Sequence, residues 1–97
     1  MNVKFLTLAQ HEVDDAVVWF EERQEGKGLE FLDALDHVVR LVKAYPHASP
    51  EVETDIRRCL FVNFPYSLIY GIDEKTIIVV AVAHTRREPR YWMDRME

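Results

Sequence analysis

The residues equipped for chemistry crowd into positions 56–97. Arg57 and Arg58 lie in one apolar run, and His84-Thr85-Arg86-Arg87-Glu88-Pro89-Arg90-Tyr91-Trp92 leaves another. An imidazole can move a proton near neutral pH, guanidinium groups can grip a phosphate, and a phenol ring can stack on an unpaired base. Cleaving RNA without a metal needs proton transfer and charge stabilisation on the phosphate. His84, Arg57, Arg58, Arg86 and Tyr91 are the residues that would supply them. The same tail also suits docking onto an acidic partner through Arg86, Arg87, Arg90, Trp92 and Arg95. Trp19 is a further contact candidate because it lies off the apolar stripe of its helix. Each residue also has a plain structural role to fill. His84 ends a buried strand, where a hydrogen-bonded imidazole is the commoner case, and Trp92 is placed to pack the tail onto a sheet. Arg57 and Arg58, being adjacent in a strand, face opposite sides. Only one can join a given site, and the other is expected to pair with an acidic residue of a helix.

The totals exclude several classes. Ninety-seven residues make one domain, 1–97, with a single modest core. One cysteine, Cys59, forms no intramolecular disulfide and no cysteine zinc cluster, which fits a reducing cytoplasm. The N-terminus has no signal-peptide pattern. The longest apolar run, Ile77 to Ala83, is far too short to span a bilayer, so no membrane partner is expected. His11, His37, His47 and His84 have no metal-ligand spacing, and no glycine-rich phosphate loop occurs, so neither metal nor cofactor is expected. Residues 1–55 hold 12 Asp and Glu against 5 Lys and Arg, whereas residues 56–97 hold 5 against 7. The net charge of −5 repels nucleic acid as a whole, which disfavours non-specific binding to it.

The elements that must position these groups follow from periodicity. Val3 to Leu8 reads as a first strand. Thr7 and Gln10 have capping-box spacing, so a helix is expected to begin there. Ala9, Val13, Ala16, Val17 and Phe20 form its stripe, with Glu12, Asp15, Glu21 and Glu22 toward solvent. Gly26-Lys27-Gly28 should end it. A second helix spans about Leu29 to Tyr45 on the stripe Leu32, Leu35, Val38, Val39 and Val42, until Pro46 stops it. The two make a helical hairpin. His47 to Asp55 reads as a surface connection. Three strands then form an antiparallel meander. In the first, Ile56, Arg58, Leu60 and Val62 share one face, opposite Arg57, Cys59 and Phe61. In the second, Tyr66, Leu68, Tyr70 and Ile72 share a face. The third, Ile77 to Ala83, lacks alternation and is expected to be central and covered on both sides. If Ile78, Val80 and Val82 share a face with His84, that residue begins where the core ends. Leu35, Val42, Leu60, Leu68 and Val80 are the expected core between hairpin and sheet. Pro89 is placed to start a short terminal helix at about Arg90.

This order of elements resembles the RelE/ParE superfamily of toxins from type II toxin–antitoxin systems. The likeness rests on Phe64-Pro65-Tyr66-Ser67-Leu68-Ile69-Tyr70 and on the run from His84 to Arg95. Gly28-Leu29-Glu30-Phe31-Leu32 and Tyr45-Pro46 are similar to the ParE-like, plasmid-stabilisation branch. The resemblance implies an α+β fold: an N-terminal strand, an α-helical hairpin, a three-stranded antiparallel meander and a short C-terminal helix. It implies a bacterial cytoplasmic toxin neutralised by a cognate antitoxin, as a homodimer or a toxin–antitoxin hetero-oligomer. ParE-like members inhibit DNA gyrase by binding, whereas RelE-like members cut messenger RNA on the ribosome. RelE-like nucleases use lysines beside the meander, and this chain has none between Lys43 and Lys75. The reading favoured is therefore a non-enzymatic, gyrase-binding toxin. A ribosome-dependent endoribonuclease is the alternative, and a non-toxic binding module of the same family is the third.

Overall fold

The computed structural model describes residues 1–96. The elements are β1 (Asn2–Phe5), α1 (Thr7–Arg23), α2 (Lys27–Ala44), β2 (Glu51–Glu53), β3 (Ile56–Leu60), β4 (Tyr66–Asp73) and β5 (Thr76–His84), followed by a 3-10 turn at Met93–Met96. The strands form one five-stranded sheet in the order β1-β5-β4-β3-β2. The β3-β4-β5 meander is antiparallel, and β1 adds to β5 in parallel, with Asn2 opposite Thr76 and Phe5 opposite Val79. The helical hairpin covers one face of the sheet and the C-terminal tail covers part of the other. This is the expected α+β fold, with β5 between two neighbours and buried on both faces.

Two local expectations give way at the start of the chain. The first strand ends at Phe5 because Leu6 N–H is bonded to the Val79 carbonyl, which pins that residue to the sheet edge. The helix therefore begins at once with Thr7, no side chain caps it, and the Gln10 side chain bonds Asp14 at 3.0 Å instead of closing a capping box. The hairpin turn is also tighter than its glycines suggested. Gly26, at φ +86°, takes the left-handed conformation that suits a residue without Cβ. Lys27 and Gly28 already belong to α2. A Cβ on Gly28 would meet the Val17 carbonyl and Glu21 at 3.0 Å, so glycine there lets the two helices approach closely. Glu21, expected in solvent, turns back to accept N–H bonds from Gly26 and Gly28, each at 3.0 Å. These bonds satisfy two of the open donors at the α2 N-terminus and hold the Glu21 carboxyl below its ordinary pKa.

The core divides into two clusters. Between hairpin and sheet lie Ala9, Val13, Ala16, Phe31, Val38, Val42, Cys59, Phe61, Leu68, Tyr70, Ile77, Val79 and Val82, with Leu35 partly buried at the margin. Leu32 stands partly in solvent. Beneath the tail lie Ile56, Ile69, Val80, Ala81, Ala83 and Trp92. Two of the expected core residues are therefore misplaced. Leu60 is on the tail side and 59 % exposed, because Cys59 and Phe61 take the hairpin side of β3. Val80 is buried, but against the tail. The β4–β5 register shifts between Ile69, which pairs with Ala81, and Tyr70, which pairs with Val79. Val80 is the extra residue of that bulge, so the facing of β5 changes phase there. This is why the run shows no alternation, and why Ile78 and Val80 do not share the face of Val82 and His84.

The segment 47–55 is also more than a connection. Glu51 pairs with Arg57 and Glu53 with Ile56, which makes β2 a short edge strand. The turn before it receives the Tyr70 hydroxyl on the Pro46 carbonyl at 2.7 Å. The expected terminal helix is reduced to the 3-10 turn. Arg90, where it was to begin, has φ +66°, and such a conformation cannot continue a right-handed helix.

Candidate functional site

The C-terminal ends of β5 and α1 frame a cleft of about 460 Å³ between α1 and the ends of β4 and β5. Trp19, Phe20, Pro65 and Tyr66 give it aromatic and apolar walls, while Asp15, His84 and Arg87 bring charge and hydrogen-bonding capacity to its rim. Trp19 is half-exposed, with the Arg23 guanidinium 3.6 Å from its ring centroid. A second hollow of about 270 Å³ lies on the other face of the sheet, where Arg58, Ser67, His84, Arg87, Arg90 and Tyr91 are among its lining residues. His84 belongs to both because it is the last residue of β5 and sits at the rim of the sheet.

The tail is fixed by a knot centred on Glu12. Its carboxylate accepts Arg95 Nη1 at 2.8 Å, Arg95 Nη2 at 3.1 Å, the Tyr91 hydroxyl at 2.5 Å and the backbone N–H of Val82 at 3.0 Å. Arg95 also donates to the Val80 carbonyl at 3.1 Å. β1 pairs only with the first half of β5, so beyond Val79 the outer edge of β5 has no strand beside it. The Glu12 carboxylate and the Arg95 guanidinium satisfy its exposed donor and acceptor in place of a strand. Burial, followed by the hydrogen bond to Glu12, raises the pKa of Tyr91, which keeps its phenol protonated. Hydrogen bonding to Glu12 raises that of Arg95.

Glu12 is the residue the periodicity misplaces. It was expected in solvent, yet its side chain is only 16 % exposed. The available signal was its neighbourhood. Glu12 stands three residues after Ala9 and four before Ala16, and two such small side chains on one helix face leave room for a carboxylate to reach the sheet.

The candidate residues fall into separate groups. Arg57 lies on the hairpin side of β3, tied to the carbonyls of His47 at 3.1 Å and Ser49 at 2.7 Å and to Glu51 at 3.3 Å. Its acidic partner is therefore on the edge strand, and the expected helix acid is not used. Arg58 faces the tail-side hollow. Arg90 pairs with Glu53 at 2.7 Å. Trp92 is buried against the sheet at 4 % exposure, and Arg95 is locked to Glu12. Arg87 stacks over Tyr91, 3.9 Å from its centroid. His84 packs edge-on to Tyr66, and its Nδ1 accepts the Arg86 backbone N–H at 3.0 Å. Arg58, Arg86 and Arg87 are the tail-side arginines with no carboxylate partner among the described residues. Among those residues, too, no group of three His, Cys, Asp or Glu is placed to hold a metal ion, and no helix is long and apolar enough to cross a membrane.

Comparisons with known proteins bear on this architecture. The family model described as "ParE toxin of type II toxin-antitoxin system, parDE" matches residues 3–89. No curated protein is a significant match. Among solved structures, a chain of the "Chromosomal ParDE TA system from P. aeruginosa" is similar, with a TM-score of 0.63 and 17 % identity over 87 % of this chain and 95 % of that one. At that identity the likeness is one of fold. The family match ends at Pro89, so the two residues that tie the tail to Glu12, Tyr91 and Arg95, lie beyond it.

Proposed function

Because the chain belongs to the ParE toxin family of type II toxin–antitoxin systems, we propose that it acts by binding a protein target, DNA gyrase, and that a cognate antitoxin neutralises it. The observation that carries this reading is how the groups suited to phosphodiester cleavage are used. The Tyr91 hydroxyl is consumed by Glu12, Arg57 by two carbonyls and Glu51, and His84 Nδ1 by the Arg86 backbone. These groups hold the fold together. Cleavage would require a poised proton donor or acceptor and free cations converging on one phosphate. Protein binding asks only for surface. The half-exposed Trp19 and the aromatic-walled cleft, with Arg87 at its rim and without a carboxylate partner among the described residues, offer an apolar seat next to positive charge. An antitoxin segment bearing an apolar anchor and acidic residues fits it.

The ribonuclease reading keeps one supporting observation, since Arg58, His84, Arg87 and Tyr91 do line a single hollow. The deciding experiment expresses the toxin without antitoxin and follows growth, translation and plasmid supercoiling, for the native chain and for His84→Ala. On the proposed function the native toxin blocks supercoiling while translation continues, and a folded His84→Ala protein remains toxic. Immediate translation arrest with gyrase untouched, together with a 10²–10⁴-fold loss of messenger cleavage in His84→Ala, roughly the range for a lost general acid or base, would establish the nuclease instead.

A further inference from the structure

Arg87, like His84, lines both the α1 cleft and the tail-side hollow. Its backbone is fixed by a turn, in which Arg87 N–H donates to the His84 carbonyl at 2.9 Å. Its side chain has no carboxylate partner among the described residues. Instead it stacks on Tyr91, with the guanidinium carbon 3.9 Å from the ring centroid. That contact uses the face of the guanidinium and leaves its N–H edge available. The ring beneath is itself held. Its hydroxyl donates to Glu12 Oε2 at 2.5 Å, and the Glu12 carboxylate accepts Arg95 Nη1 at 2.8 Å, Arg95 Nη2 at 3.1 Å and Val82 N–H at 3.0 Å. Glu12 belongs to α1, so the first helix reaches the charge at the cleft rim through one phenol.

We propose that Glu12, acting through Tyr91, is a positioning residue for Arg87: together they hold its guanidinium over the ring and present its N–H fork, already ordered, to a carboxylate of the antitoxin. This rests on the docking reading above and adds which group the partner brings and what orders the receptor. An arginine side chain loose in solvent loses rotamer freedom on binding, and one already laid on a fixed ring loses less. The fork then takes a carboxylate through two parallel N–H bonds, which sets orientation as well as charge. Arg86 differs. It lines neither concavity and has no ring beneath it among the described residues, so it offers screened charge and no fixed receptor. A lysine at position 87 would keep the charge and lose both the fork and the stack.

The test begins on the free full-length toxin. Nuclear magnetic resonance should find the Arg87 side-chain protons shifted upfield by the Tyr91 ring. Tyr91→Phe keeps the ring but cuts its tie to Glu12, and it should lose most of that shift while circular dichroism shows the chain folded. Calorimetry then follows binding of the cognate antitoxin, purified as the protein encoded beside the toxin. Arg87→Ala should weaken binding by about tenfold, the scale of a lost charge-assisted hydrogen bond, and Arg87→Lys should recover little of it. Tyr91→Phe alone should weaken binding by less. The double variant Tyr91→Phe with Arg87→Ala should bind no worse than Arg87→Ala, because the ring matters only through the guanidinium. A merely structural role for Tyr91 predicts additive losses, which would overturn the proposal. An Arg87 shift unchanged in Tyr91→Phe would also overturn it, as would full recovery by Arg87→Lys. Arg87 resonances that move with short single-stranded RNA and not with antitoxin would give the fork to a phosphate and overturn it too. Unchanged affinity in Arg87→Ala would refute the docking reading instead, and the Arg87 shift alone would then decide the positioning.

Discussion

Glu12 and Arg95 stand 83 residues apart in the chain and meet in a two-point ion pair whose side chains are 16 % and 11 % exposed. The pair joins the first helix to the last turn and occupies the backbone positions that a longer β1 would have filled on β5. Its charges are compensated by Tyr91, Val82 N–H and the Val80 carbonyl, so the cost of burying them is met locally.

Breaking this pair from one side should therefore be severe. Arg95→Met leaves a buried carboxylate with its main counter-charge gone, and a loss of roughly 3–5 kcal/mol is expected in urea unfolding. The double variant Glu12→Gln with Arg95→Met should lose less than the sum of the two single variants, because each single change leaves the other charge unpaired. Additive losses would mean that the two side chains do not act as a pair.

Tyr91 gives a dependence on pH. Its folded-state pKa is raised, first by burial and then by Glu12. A group with a raised pKa stabilises the fold fully below its unfolded value, about 10 for tyrosine, and loses that contribution as pH rises toward the folded value. Stability of the native chain should fall above about pH 10, and Tyr91→Phe should lessen that fall. An equal alkaline loss in both proteins would dissociate Tyr91 from the effect.

Leu68 reports on the core between hairpin and sheet, where it is fully buried. Leu68→Ala should cost about 2–5 kcal/mol, with the cavity adding to the lost burial. Leu60→Ala, on the exposed side of the neighbouring strand, should change stability by less than about 0.5 kcal/mol. Thermal unfolding of the two variants separates them.

On the proposed function, Arg86 and Arg87 are expected to meet an acidic segment of the antitoxin. Reversing both to glutamate should weaken the toxin–antitoxin complex and flatten its salt dependence, since exposed charges act through a screened field. Titration calorimetry at low and high salt measures both effects. Unchanged affinity at low salt would place antitoxin docking away from the tail.

Much of this architecture was legible in the sequence because it is written locally. Helical spacing of apolar residues, Pro46 after α2, and the alternating Tyr66, Leu68, Tyr70 and Ile72 each report an element through its own repeat. The order of those elements carried the family. What the chain could not show along its length is pairing across it. The bulge at Val80 depends on how β4 and β5 register, and it alone sends that residue to the tail side. The choice of Cys59 over Leu60 for the hairpin face depends on where the helices sit. Glu12 looked like a solvated acid because its partners, Tyr91, Val82 and Arg95, are 70 or more residues away. Arg95 looked free for the same reason. Local patterns fix which residues form a strand or a helix, whereas the fate of a buried charge is settled only by what the folded chain brings within hydrogen-bonding distance.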